Sequence, residues 1–393
     1  MLKDFSPQAF TMGLLAAFVG FASSFAVILH GLTVVGATPS QAASGLAALS
    51  VAMGVLGVIL SVWSRMPVSV AWSTPGAALL AGTGAVAGGF GVAVGAFLAA
   101  GLLVVVAGLV KPVGNAVTRI PQAVASAMLA GVLMELCFAP VKAVAADPYA
   151  GLLIFAAWAI AGAWNRLMAV PAALAAFALV TIFQFPADAM ASLPAASLPF
   201  EWVVPAFSWQ SMISVAVPLF FVTMASQNIP GITVLKVNGF EPPPGPLLAG
   251  TGFFTMLSAP FGGHGVCLAA ITASMCAGPD SHPEPRRRYW SAIIAGGFYI
   301  LFGLFTGLIT WFVAQAQPIL IEAVAGLALF GAFSASASAA FKDVETREAA
   351  AVTFMVTASG QSFLGVSGAF WGLAAGIAVY LVRRGLARGV GAV

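Results

Sequence analysis

The sequence predicts an all-α polytopic membrane protein, and three observations carry that prediction. Of its 393 residues, 61% are hydrophobic and 7% are charged, far below the roughly 25% charged residues of an ordinary soluble domain. Apolar runs of about 18 to 25 residues recur from Pro7 to Tyr380, each long enough to cross a ~30 Å hydrocarbon core as a helix. The runs are continuous rather than alternating, which excludes a closed barrel.

The first run, from about Gln8 to Leu32, exceeds the apolar core of a secretory signal and lacks a cleavage site, so it is expected to stay in the mature protein. The predicted spans are 8–32, 40–62, 67–82, 88–110, 121–144, 149–164 and 168–185, followed by 209–232, 246–259, 260–277, 289–313, 318–340, 349–362 and 364–382. That makes fourteen segments in two sets of seven. The stretch between the sets carries Pro186, Pro194, Pro199 and Pro205 and suits a connector.

Basic residues test this count, because short-loop Lys and Arg favour the cytoplasmic side. With the N-terminus inside, that side holds Lys3, Arg65, Lys111, Arg119, Arg166, Lys236, Arg286, Arg287, Arg288, Lys342, Arg347, Arg383, Arg384 and Arg388. Lys142 alone falls outside, so 14 of the 15 basic residues obey. Both termini are then cytoplasmic. Seven spans per half is odd, so the second half enters from the opposite face and the two halves are inverted repeats, a common plan of secondary transporters. Faint echoes accompany it: Ala123-Val124-Ala125 with Gly131 returns as Ala323-Val324-Ala325 with Gly331, and Ala22-Ser23-Ser24 as Ala225-Ser226-Gln227.

Two spans are interrupted. The third reads Met66-Pro67-Val68-Ser69-Val70-Ala71-Trp72 and then Ser73-Thr74-Pro75-Gly76-Ala77. A hydroxyl followed by proline is a helix start, so a helix is expected to begin in mid-membrane. The tenth reads Ala259-Pro260-Phe261-Gly262-Gly263-His264-Gly265 ahead of an expected helical run from Val266 to Met275. Its glycines disfavour helix. Because the two segments enter from opposite faces, their helix starts should meet near the midplane and offer unpaired N–H groups to an anion.

Candidate site residues follow from polar groups in apolar surroundings. His264 is expected at mid-membrane depth, where a bound carboxylate would favour its protonated form and couple anion to proton. Glu135 is taken as the acid inside the spans and as a second proton-coupling candidate. Ser226, Gln227 and Asn228 need protein or wet partners, as do Ser23 and Ser24 in the corresponding place of the first span. Ser73, Thr74, Gly263 and Gly265 lie at the breaks, and Phe25, Trp72 and Phe261 offer an aromatic wall. His30 is read as structural or interfacial.

Other function classes recede. Cys137, Cys267 and Cys276 lack a CxxC spacing, so neither a disulfide nor a metal site is indicated, and no cofactor is called for. No phosphate loop or nucleophile-and-base set marks an enzyme, and the net charge of +3 is explained by the cytoplasmic loops rather than by nucleic acid. An anion entering against an interior-negative potential costs about 2.3 kcal/mol per 100 mV, and one accompanying proton cancels that charge.

Residues 66–77, 260–265 and Ala225-Ser226-Gln227-Asn228-Ile229-Pro230-Gly231 together make the chain resemble the benzoate:proton symporter (BenE) family over essentially its whole length. The resemblance implies import of benzoate or a similar small aromatic carboxylate with a proton, across the inner membrane. It implies the fold shared with uracil and sulfate carriers, with short strands in spans 3 and 10. A core of spans 1–4 and 8–11 (residues 1–118 and 208–314) would move against a gate of spans 5–7 and 12–14 (residues 119–207 and 315–393). Such carriers often place an acid on the eighth helix, where this chain has Gln227 or Asn228, and relatives commonly form homodimers.

Overall fold

The computed structural model describes residues 4–110, 121–185, 200–269, 271–361, 363 and 366–390. Lys3, Lys111, Arg119, Pro186, Pro194 and Pro199 lie outside the described residues.

Helix starts are written locally. Ser6 accepts the Ala9 N–H ahead of α1 (Pro7–Ala22), and Thr38 and Gln41 form a reciprocal cap on α3 (Pro39–Ser64). Between them, the first span does not run through: it bends at Ser23 and Ser24 and resumes as α2 (Phe25–Val34). The third span enters as strand β1 (Val70–Trp72) and continues as α4 (Thr74–Thr83), after which α5 (Phe90–Leu109) returns. The next segments are α6 (Gln122–Cys137), α7 (Ala139–Ala146), α8 (Pro148–Trp164), capped by Asp147, and α9 (Ala169–Phe183).

Beyond the connector, α10 (Trp209–Val237) crosses as one helix containing two π turns, Met212–Ala216 and Met224–Asn228. Then come α11 (Pro244–Ser258), strand β2 (Val266–Leu268) and α12 (Ile271–Ala277). The expected helical run from Val266 is therefore corrected: the extended backbone that the glycines introduce carries on through Leu268, and the helix starts at Ile271. The chain ends with α13 (Tyr289–Leu304), α14 (Thr306–Ala314), α15 (Pro318–Phe341), α16 (Arg347–Ala358) and α17 (Gly368–Val390).

Among the described residues, six helices or helix pairs are long and apolar enough to cross a membrane, or seven if α13 and α14, bent by 55°, form one span. Of the other predicted spans, those at α8, α9, α11 and α16 are shorter, those at α4 and α12 are broken, and α17, 23 residues long, is less apolar. Large apolar and aromatic side chains on the outside, such as Leu152, Ile160 and Trp164, suit contact with lipid.

Two seams are closed by glycine. A Cβ on Gly54 of α3 would lie 2.5 Å from the Gly296 carbonyl of α13, and one on Gly296 would lie 2.6 Å from the Gly54 carbonyl. Gly101 of α5 and Gly252 of α11 stand in the same reciprocal relation. Small residues let backbones touch, which is how helices gain packing energy without help from water.

The ends of the helices fall on two faces. On one, the Tyr289 hydroxyl donates to Asp4 (2.8 Å) and Arg65 donates to Tyr289 (3.2 Å). On the other, Ser44 donates to the Phe261 carbonyl (2.8 Å), and the backbone of the connector pairs with one broken span and with the first turn of α5: Val203 N–H to the Pro260 carbonyl and Ala206 N–H to the Gly91 carbonyl.

Candidate functional site

β1 and β2 pair antiparallel, with Val70 opposite Leu268, Ala71 opposite Cys267 and Trp72 opposite Val266. Ser73 N–H to the Gly265 carbonyl (3.0 Å) and Ala269 N–H to the Ser69 carbonyl (2.9 Å) extend the ladder at both ends. Each strand is followed within three residues by a helix, and the strands are antiparallel. The starts of α4 and α12 therefore stand at opposite ends of one short ribbon.

At the first end, Ser73 caps α4: its Oγ accepts the Gly76 N–H at 3.1 Å and shares a hydrogen bond with Thr223 Oγ1 at 2.8 Å. His264 lies here too, fully buried, with Nε2 donating to the Ser73 carbonyl at 2.9 Å. A carbonyl only accepts, so Nε2 bears the hydrogen; Nδ1 is buried with no hydrogen-bond partner among the described residues. Phe97 covers the ring edge-on. Gly265 backs onto Ser73, and Gly263 onto Ser258.

At the second end, Ser69 and Thr272 share a hydrogen bond at 2.8 Å. Tyr299 approaches from α13 and donates to the Ala16 carbonyl. Asn228, buried in the second π turn of α10, accepts the Leu268 N–H through Oδ1 at 2.9 Å. It thus holds a strand, which sequence reasoning had offered as a substrate contact. Ser226 donates to the Val222 carbonyl, and Ser226 and Gln227 stay partly exposed.

The bend in the first span is tied to the ribbon. Trp72, buried in β1, donates its indole N–H to Ser24 Oγ at 2.7 Å, and Ser23 and Ser24 both donate to the Gly20 carbonyl. Phe21 stacks on Phe25 and tilts against Trp72, so the predicted aromatic wall forms from Phe21, Phe25 and Trp72. Beside it lies an apolar cavity of about 330 Å³, lined by Phe18, Phe21, Phe25, Phe177, Phe302 and Phe312 among others. Phe261 is not part of the wall: its ring packs on Phe200 and Trp202 of the connector. Thr74 and Ala71 keep part of their surface open.

Glu135 is exposed on α6, away from the ribbon. It is not the sole acid within the helices either, because Glu322 lies one turn into α15 and pairs with His30 of α2 at 3.7 Å. Phe21, Thr223, Thr272 and Tyr299 were passed over because each is an ordinary residue of an apolar helix; only the fold brings them to the breaks.

A sequence profile described as Benzoate membrane transport protein matches residues 3–382. The chain belongs to the benzoate membrane transport family. Its relatives include the inner membrane protein YdcO of Escherichia coli (strain K12), 38% identical over 394 residues and covering 97% of each chain. Another is a benzoate membrane transport protein of Acinetobacter baylyi, 29% identical over 392 residues, covering 97% of this chain and 96% of that one. The fold matches the transmembrane domain of the cyanobacterial bicarbonate transporter BicA, with a TM-score of 0.59, 16% identity and 98% and 97% coverage. It also matches SLC26A9, with a TM-score of 0.63, 13% identity and 98% and 66% coverage. As a member of this family the chain is a multi-pass membrane transport protein.

Proposed function

We propose that this protein imports benzoate, or a close small aromatic carboxylate, with a proton across the inner membrane by alternating access. The single observation that carries the reading is the antiparallel ribbon with a helix start at each end, in a chain of the benzoate membrane transport family. An anion between such starts meets unpaired N–H groups and two favourable dipoles, each worth up to about 2 kcal/mol when partly buried. The carboxylate would sit beside Thr74, with Ser23 and Gln227 as side-chain donors, and its ring would turn toward Phe21, Phe25 and Trp72. Burying a carboxylate costs several kcal/mol, so a proton carried with it has a physical purpose.

In this reading the inverted repeats place fourteen segments, with both termini cytoplasmic and the connector outside. Residues 1–118 and 208–314 move as one body against residues 119–207 and 315–393. His264 ties the approach to β2 to the carbonyl that opens α4. The test is uptake of labelled benzoate by purified protein in proteoliposomes under an imposed inward pH gradient. Accumulation that an uncoupler abolishes is expected. Competition by other organic anions or nucleobases but not by unlabelled benzoate would overturn the substrate, and flux that never exceeds equilibrium would overturn the coupling.

A further inference from the structure

The ribbon leaves one titratable group in the helices without a use. His30 lies on α2, one turn beyond the aromatic wall, with 21% of its side-chain surface exposed, and Nδ1 stands 3.7 Å from Glu322 Oε1. Burial of the ring works against a charge there, and the carboxylates of Glu322 and, less strongly, Glu135 work for it. The three residues come from three elements. α2 packs on α1, α3, α4 and α15, and of these only α15 brings a charge within its helical span, Glu322; Glu135 comes from α6, and Lys142 on α7 is exposed.

We propose that His30, Glu322 and Glu135 form a proton-binding site shared between α2 and the pair α6 and α15, and that this site carries the proton of the transport cycle. The proposal rests on the function proposed above. Without a proton the cluster sets two carboxylates against a neutral ring. With one proton, an imidazolium faces two carboxylates, and attraction appears across a seam where the neutral ring gave little. Proton binding therefore draws α2 toward α15, and by reciprocity closing the seam favours the proton.

Two further features connect this cluster to water and to the anion. Glu135 lines a cavity of about 30 Å³ with Thr83 and Thr357, room for a water or two. Thr357 Oγ1 is buried there without a hydrogen-bond partner among the described residues, and a water would satisfy it. On the other side, Gly31, next to His30, lies so close to the Ala77 carbonyl of α4 that a Cβ has no room. α2 and α4 touch backbone to backbone. A shift of α2 therefore moves the helix whose start is offered to the carboxylate, which is the mechanical link that coupling requires.

The experiment separates exchange from coupling. Wild type, His30→Gln and Glu322→Gln are reconstituted, and each is measured for counterflow of labelled against unlabelled benzoate at one pH, and for accumulation driven by a pH gradient. Accumulation is expected to fall about tenfold in both variants, within the range typical of coupled sites, while counterflow falls about threefold or less. The swap His30→Glu with Glu322→His should recover part of the pH response. Variants that accumulate like wild type overturn the proposal, and so does equal loss of both readouts in well-folded protein. If wild type exchanges no benzoate, the proposed substrate fails, and the site is then judged without substrate by hydrogen exchange of residues 25–34 in both proteins. Protection that rises on acidification in wild type and not in Glu322→Gln supports the site; protection independent of pH overturns it.

Discussion

The two broken spans do the same job with different means. In residues 66–83 the break is encoded where it occurs: Ser73 caps α4 with its own hydroxyl, and Pro75 stands in the first turn. In residues 259–277 the help comes from elsewhere. Asn228 of α10 takes the Leu268 N–H, Thr255 Oγ1 of α11 takes the Val266 N–H at 2.9 Å, and Arg288 donates to the Ala277 carbonyl at the end of α12 at 2.8 Å. Arg288 is buried and also donates to the His282 and Pro283 carbonyls, so its charge rests against the negative end of a short helix. At its helix start the first break is therefore the more autonomous, capped from within, while the strand and helix end of the second rest on side chains from elsewhere.

Substitutions sharpen that contrast. Arg288→Met should cost most, about 3 kcal/mol of stability, because charged hydrogen bonds to buried carbonyls contribute about 1.5–3 kcal/mol and cannot be replaced by a thioether. Denaturation in mixed micelles reads the effect, and a loss within error would show that α12 ends without its cation. Asn228→Leu leaves the Leu268 N–H buried and unpaired at a cost of about 1–3 kcal/mol. It should also depress benzoate uptake more than it depresses stability, since β2 loses its position; normal uptake would argue that the strand holds itself.

Ser73→Ala removes a cap worth about 1 kcal/mol. If it proves more damaging than Asn228→Leu, the first break is not the more autonomous one. The smallest effect concerns Asp4, which joins the entrance of one broken span at Arg65 to the exit of the other at Tyr289. The Tyr289 hydroxyl bond holds its carboxyl below the ordinary value of 3.8. A depressed folded value means that this stabilisation is present above pH 3.8 and disappears as pH falls through the folded value. Asp4→Asn should flatten that acid-side loss, and unchanged acid sensitivity would remove Asp4 from the account.

This contrast also explains what was legible in the sequence. The membrane class and the break at Ser73 were readable because local rules govern them: apolar run length and hydroxyl-proline starts. The start of α12 was misplaced because the residues that keep Val266–Leu268 extended lie 11 and 40 positions away. The bend at Ser23 and Ser24 was hidden for a similar reason, since neither serine breaks a helix alone; Trp72 holds it. Phe261 was assigned to the wall on residue type, and its ring turned to the connector instead. Glu322 was overlooked because it stands close to a helix end, where an acid attracts no notice until His30 is beside it.

The glycine seams have a consequence for how such a molecule can work. Where Gly54 meets Gly296 and Gly101 meets Gly252, peptide lies on peptide with no side chains between to act as a bearing surface. Shifting either pair by a single helical turn, about 5.4 Å, would drive a Cβ-bearing residue into a carbonyl. These junctions behave as welds. Travel during a cycle is forced onto seams padded by long side chains, and a small molecule meant to jam the protein would have to lodge there.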